Sequence, residues 1–203
     1  MVSKELYELI ANKYGQVASW ALWAKTGEKP KSNISDMSVF DINSNPSTLE
    51  IIKTDVVMVA LNFSRDVEFE KPFMNFHDAN PHGQDYKIRY AFEGTKYYGA
   101  YMTDAIKDFP MLSSADVLRH LRNNPSAIEE QLTKFRNEMA FIKVNRPTIL
   151  AFGKDAYNIL IRGLHPDEYS SITQLTHYSH HISKEKYRED TFKKLAWAYE
   201  PKA

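Results

Sequence analysis

The sequence predicts an α/β fold, a three-layer α/β/α sandwich around a central, mainly parallel four-stranded sheet, and three observations carry that expectation. Val56 to Leu61 is an unbroken apolar run rich in β-branched residues, the pattern of a strand covered on both faces. Further short apolar runs are separated by stretches with helical periodicity, which requires crossover connections and a parallel sheet between helix layers. With 203 residues, 43% of them hydrophobic and 26% charged, the chain is long enough for one well-buried core. It contains no linker, repeat or low-complexity segment that would divide it. A single domain over 1–203 is expected, with a helical N-terminal part at 1–53 and a core at 54–203.

Taken in order, Ser3 caps a helical pattern of Leu6, Leu9, Ile10 and Tyr14, and Gly15 interrupts it before a second apolar run, Val17 to Ala24. These residues read as one broken helix or two. Lys25 to Met37, with Gly27, Pro30 and Asn33, reads as a surface loop, and Pro46-Ser47-Thr48-Leu49-Glu50 opens a short helix with proline in its first turn. After the strand at 56–61, residues 62–85 are irregular, longer than the roughly 12–15 residues usual for a loop without function. Tyr98 to Thr103 reads as a second strand, and Ser114 to Arg122 and Ser126 to Val144 as amphipathic helices. Thr148 to Phe152 is a third strand, turned by Gly153-Lys154-Asp155 into the helical pattern Ala156 to Ile161. Ser170 to Thr176 is a weaker fourth strand. Lys184 to Tyr199 closes the chain as a helix with Trp197 toward the core.

Composition excludes several functions. The chain has no cysteine, hence no disulfide, no thiolate nucleophile and no Cys-ligated metal. Lys plus Arg and Asp plus Glu number 26 each, so a nucleic-acid partner would need a local basic face. No run approaches the ~20 apolar residues of a membrane span, and the first residues lack the apolar centre of a secretory signal. A cytoplasmic monomer without membrane contact and without a cofactor is expected.

In an open parallel sheet, ligands bind outside the carboxyl ends of the strands, and four groups of polar residues fall there. They are Asn62 with Ser64, Arg65 and Asp66; Thr103, Asp104 and Lys107; Lys154 and Asp155; and His177, Ser179, His180 and His181. Asn62 either positions a water or ligand, or ends its strand in an Asx-turn. Phe76 is either a stacking surface for a planar base or a loop anchor. Asp104 either accepts hydrogen bonds from a ligand or caps the following turn. The run Thr176-His177-Tyr178-Ser179-His180-His181 is a polar loop, an acid or base, or, together with His77, Asp78 or His82, a metal site. No HExxH, phosphate-loop or GxSxG spacing is present.

The order of these pieces resembles the uracil-DNA glycosylase superfamily over about residues 55–199. Val57-Met58-Val59-Ala60-Leu61-Asn62 is similar to the family's Asn-bearing strand end, with Ala60 and Phe63-Ser64 replacing the usual Gly and Pro-Gly. Phe76 falls at the place of the base-stacking Phe. Tyr101 to Ile106 is similar to the strand end that carries the base-reading Asn, with Asp104 at that position. His177-Tyr178-Ser179 is similar to the family's His-Pro-Ser, without its proline, and Ile149 to Ala156 to the strand-turn-helix before it. The resemblance implies base excision from DNA. Phe76, Asp104 and Ser64 would hold an extruded base, Asn62 would orient a water, and His177 would stabilise charge on the departing base. Ser179, His180, His181 and Lys184 would face DNA phosphates. Asp104 departs from the pattern, because a carboxylate only accepts, whereas uracil offers both a donor and an acceptor. A base with an exocyclic amine, a protonated Asp104 or a ligand other than DNA would each fit better. Two further readings remain: a noncatalytic module binding a nucleobase, nucleotide or protein, and a metal-assisted hydrolase using the histidines.

Overall fold

A computed structural model describes residues 2–63, 68–78, 80, 82–110 and 113–197, with the side chain of Trp197 outside that description. Ser64, Arg65 and Asp66 therefore lie outside the described residues. The fold is α/β with a five-stranded, mostly parallel sheet flanked by helices on both faces. Strand order is β1 (Ser19–Trp20), β3 (Ala100–Ile106), β2 (Lys53–Asn62), β4 (Thr148–Phe152), β5 (Ser171–Leu175). The last four run parallel, and β1 is antiparallel to β3 at the edge.

The alternation along β2 builds the layers. Val57, Val59 and Leu61 face one buried cluster, while Met58 and Ala60 face another. The first cluster holds residues of α1 (Lys4–Tyr14), α4 (Ser114–Asn123), α5 (Pro125–Phe141) and α6 (Lys154–Gly163), including Ile10, Leu121, Phe135 and Leu160. The second holds Ile88, Ala91 and Phe92 of α3 (Tyr86–Phe92) and Tyr187 and Leu195 of α7 (Lys184–Trp197). A short α2 (Thr48–Ile51) leads into β2. Ser3 caps α1, its hydroxyl accepting from Leu6 N–H at 3.2 Å.

Two expectations need correction. The sheet has five strands rather than four, and the extra one, Ser19–Trp20, comes from the run Val17 to Ala24, which is not helical. Ala18 through Ala24 are all buried, so no solvent face exists to impose helical periodicity, and an apolar run of this length does not distinguish a buried strand from a helix. Its backbone joins the sheet edge: Ala21 N–H donates to Ala100 O and Gly99 N–H to Ala21 O, both at 2.8 Å. Helix α3 carried no sequence expectation. Its inward face includes buried Lys87 and Arg89, which interrupt the apolar pattern.

Candidate functional site

The carboxyl ends of β2, β4 and β5 open onto one cavity of about 940 Å³. Among the described residues its lining includes Asn62, Phe152 to Ala156 and His177 to Ser179 from the strand ends, and Asp78, Asn80 and His82 to Asp85 from the long loop. Asn62 and His177, distant in sequence, thus share one concave space. Asn62 ends β2, and its Nδ2 donates to Phe63 O and Phe109 O, each at 3.0 Å, which fixes the direction of the carboxamide.

His177 is positioned by three features. Thr176, just past β5, donates its hydroxyl to Asp190 of α7 at 2.7 Å. Gly153 N–H donates to Leu175 O at 2.8 Å, and Gly153, at φ +89°, turns β4 into α6 directly beneath the imidazole. Ser179 N–H donates to His177 Nδ1 at 3.2 Å, with the Ser179 hydroxyl 2.7 Å from the same nitrogen. Because Nδ1 accepts the backbone N–H, the proton of the neutral ring sits on Nε2. Burial pushes the His177 pKa down to about 4, so the neutral donor form is the one present at pH 7. Tyr178 stacks on the ring at a centroid distance of 4.3 Å.

Tyr178 also walls a neighbouring cavity of about 420 Å³, lined by Phe63, Phe69, Asn75 and Phe76, and the two spaces share Asp78, Asn80, Asp85 and Tyr178. Phe76 has φ +67°, uncommon for a bulky residue, and is held by the Asn75 side chain, whose Oδ1 accepts Phe76 N–H at 3.2 Å. The ring belongs to the second buried cluster and meets Tyr178 edge-on at 6.5 Å. It is both a loop anchor and part of the cavity wall.

Asp104 is elsewhere. Expected just past its strand, it lies inside β3, is 2% exposed and lines neither cavity. Asn75 Nδ2 covers it, donating to Asp104 Oδ2 at 3.1 Å and to Val17 O at 2.9 Å. Burial raises its pKa to about 7, against the opposing charge of Lys107 and the Asn75 hydrogen bond. Thr103 and Lys107 are likewise turned inward: Lys107 Nζ pairs with the fully buried Glu138 carboxylate and donates to Thr103 Oγ1 at 2.7 Å. Tyr101 OH donates to the same carboxylate at 2.8 Å.

Ser179, at the edge of the main cavity, and His180 and His181, outside its lining, are exposed. Lys184 pairs with Glu185 and lies 4.1 Å above the Tyr90 ring. His77 belongs to the core, with Nδ1 3.0 Å from Asn75 O and Nε2 3.0 Å from Leu22 O. Among the described residues no group of three or more His, Asp or Glu side chains is arranged to hold a metal ion. Sequence reasoning assigned no role to Tyr178 or Asn75, although both stand inside segments it singled out. It did not find Asp85. A tyrosine between two imidazole-bearing positions at a strand end was the available signal.

A doubly wound sheet with a polar cleft at its carboxyl rim defines the architectural class. No family model, no curated protein and no solved structure matches the chain. Among the described residues no helix is long and apolar enough to cross a membrane.

Proposed function

We propose that this chain is a cytoplasmic DNA glycosylase, hydrolysing the N-glycosidic bond of a damaged or deaminated base drawn into the rim cleft. The observation that carries the reading is the pairing of Asn62 with a neutral, Nε2-protonated His177 on one cavity. In glycosidic hydrolysis the electron pair of the C–N bond leaves with the base, and a water oxygen bonds to the sugar carbon. Negative charge grows on a base carbonyl oxygen, where a fixed N–H donor acts most strongly in a site sheltered from water. His177 supplies that donor without giving up its proton, since its pKa of about 4 leaves no imidazolium to act as an acid at pH 7. Asn62 orients the water through its carboxamide, and the proton this water sheds passes through solvent to the departing base.

The side cavity, walled by Phe63, Phe69, Phe76 and Tyr178, suits a flat heterocycle. Base reading moves from Asp104 to the wall that the two cavities share, which carries the polar side chains of Asp78, Asn80 and Asp85. Among the described residues that line the main cavity, Asp78, Asp85 and Asp155 outnumber Lys154. Phosphates therefore stay outside it, over Ser179, His180, His181 and Lys184.

The test is incubation with single- and double-stranded oligonucleotides carrying uracil, hypoxanthine, xanthine or mismatches, scored for abasic sites. One or more bases are released, and His177→Ala lowers the rate roughly 10²–10⁴-fold with unchanged circular dichroism. Silence of the wild type across the panel refutes catalysis. A binding role without chemistry is the second reading, favoured by the withdrawal of Asp104 behind Asn75. It predicts retained affinity for the same oligonucleotides, by fluorescence anisotropy, with no abasic product.

A further inference from the structure

Helix α3 leads away from the cleft: Asp85, at its N-cap, walls the main cavity, and Arg89, one turn on, lines a separate cavity of about 170 Å³. Arg89 is 2% exposed. Its Nη2 donates to Pro30 O at 2.6 Å, but Nη1 is buried with no hydrogen-bond partner, and no carboxylate among the described residues forms an ion pair with it. A guanidinium does not deprotonate to escape burial, so an unmet N–H on a buried arginine is a cost that a bound anion would offset. Burial lowers its pKa, and nearby Glu93 opposes that shift.

The groups that line this cavity together with Arg89 fit one ligand chemistry. Lys29 and Lys184 line the same cavity, as do Tyr86 and Tyr90, one helical turn apart on α3. Glu28 and Glu93 also line it, both exposed, so among the described lining residues three cations face two carboxylates, with Lys184 also paired to Glu185 on α7. A carboxylate ligand has only two oxygens to distribute among one guanidinium and two ammonium groups. A phosphate has enough to meet all three at once, and arginine is suited to it. Lys184 is already drawn to this wall by the Tyr90 ring. Neighbouring Lys87 donates to His180 O at 2.8 Å, joining the site to the loop that carries His177.

We propose that Arg89, Lys29 and Lys184 form a phosphate-binding subsite on the α3–α7 face. The proposal does not depend on the chemistry assigned to Asn62 and His177. The phosphate comes either from a nucleic-acid backbone or from a free phosphorylated small molecule. Calorimetric titration of the full chain with inorganic phosphate, and separately with a short single-stranded oligonucleotide, distinguishes these sources. Saturable phosphate binding is expected at constant ionic strength, weakened roughly tenfold or more in Arg89→Gln. Lys29→Glu, an exposed change that leaves the Pro30 contact in place, weakens it comparably and covers the case in which the Arg89 variant fails to fold. Binding of both probes assigns the site to a nucleic-acid strand; binding of phosphate alone assigns it to a small molecule. No saturable binding of either probe, or equal binding by wild type and Lys29→Glu, overturns the proposal.

Discussion

Two stretches of the same sheet rim behave in opposite ways. At β2, β4 and β5 the carboxyl ends open into a large cavity, whereas at β3 the equivalent residues are sealed. The difference originates in the segment 17–24. By adding β1 to the edge of β3, it gives the long loop something to fasten to: Ser19 Oγ donates to Phe73 O at 2.7 Å, and Asn75 reaches Val17 O at 2.9 Å. The loop thus lies over β3, and Asn75 covers Asp104. At the end of β4 the chain takes another course: Gly153 brings it straight into α6, and Gly153, Lys154 and Asp155 line the main cavity. Strand order alone does not decide where a site opens; the covering of each strand end does.

Breaking the sealed half should have the largest effect. Glu138→Ala strands Lys107, whose side chain is 8% exposed, without its carboxylate, and also removes the acceptor of Tyr101. Losing one member of a buried pair costs about 3–5 kcal/mol, measurable by urea unfolding. The next effect has the opposite sign. Asp104 keeps its proton in the folded state up to about pH 7 but loses it near 3.8 when unfolded. Its contribution to stability is therefore full below pH 3.8 and lost as pH rises through 7. Asp104→Asn keeps an acceptor for Asn75 and should stabilise the protein at pH 8 by up to about 4 kcal/mol, with no gain at pH 3.5. Unfolding curves at the two pH values check this.

The open half is sharpened by a smaller change. Gly153→Ala forces alanine to φ +89°, at a cost of about 1–3 kcal/mol in thermal or urea unfolding. The added Cβ would lie 3.5 Å from His177 Cβ, an ordinary contact, so backbone strain rather than a clash is the cause.

The open half was also the legible half. Thr148–Phe152 appears in the structure with the boundaries its apolar run predicts, and the Asn62 strand end and the His177 loop meet because a parallel sheet collects its strand ends at one rim. The sealed half was hidden for one connected reason. Ala18 to Ala24 is buried throughout and carries no period, so β1 was missed, and with it the cover over Asp104. Helix α3 was obscured differently, since buried Lys87 and Arg89 read as solvent-facing residues. The phosphate subsite could not be seen without their burial.

The central claim is that His177 stands at the open rim as a neutral imidazole with its proton on Nε2. Nitrogen-15 NMR of histidine-labelled protein, titrated from pH 8 downward, tests it most directly. The folded ring is expected to show a protonated Nε2 and an accepting Nδ1 until the pH nears 4, with stability falling as pH drops from 6.5 to about 4. An imidazole that titrates near 6.5, or that carries its proton on Nδ1, contradicts the account.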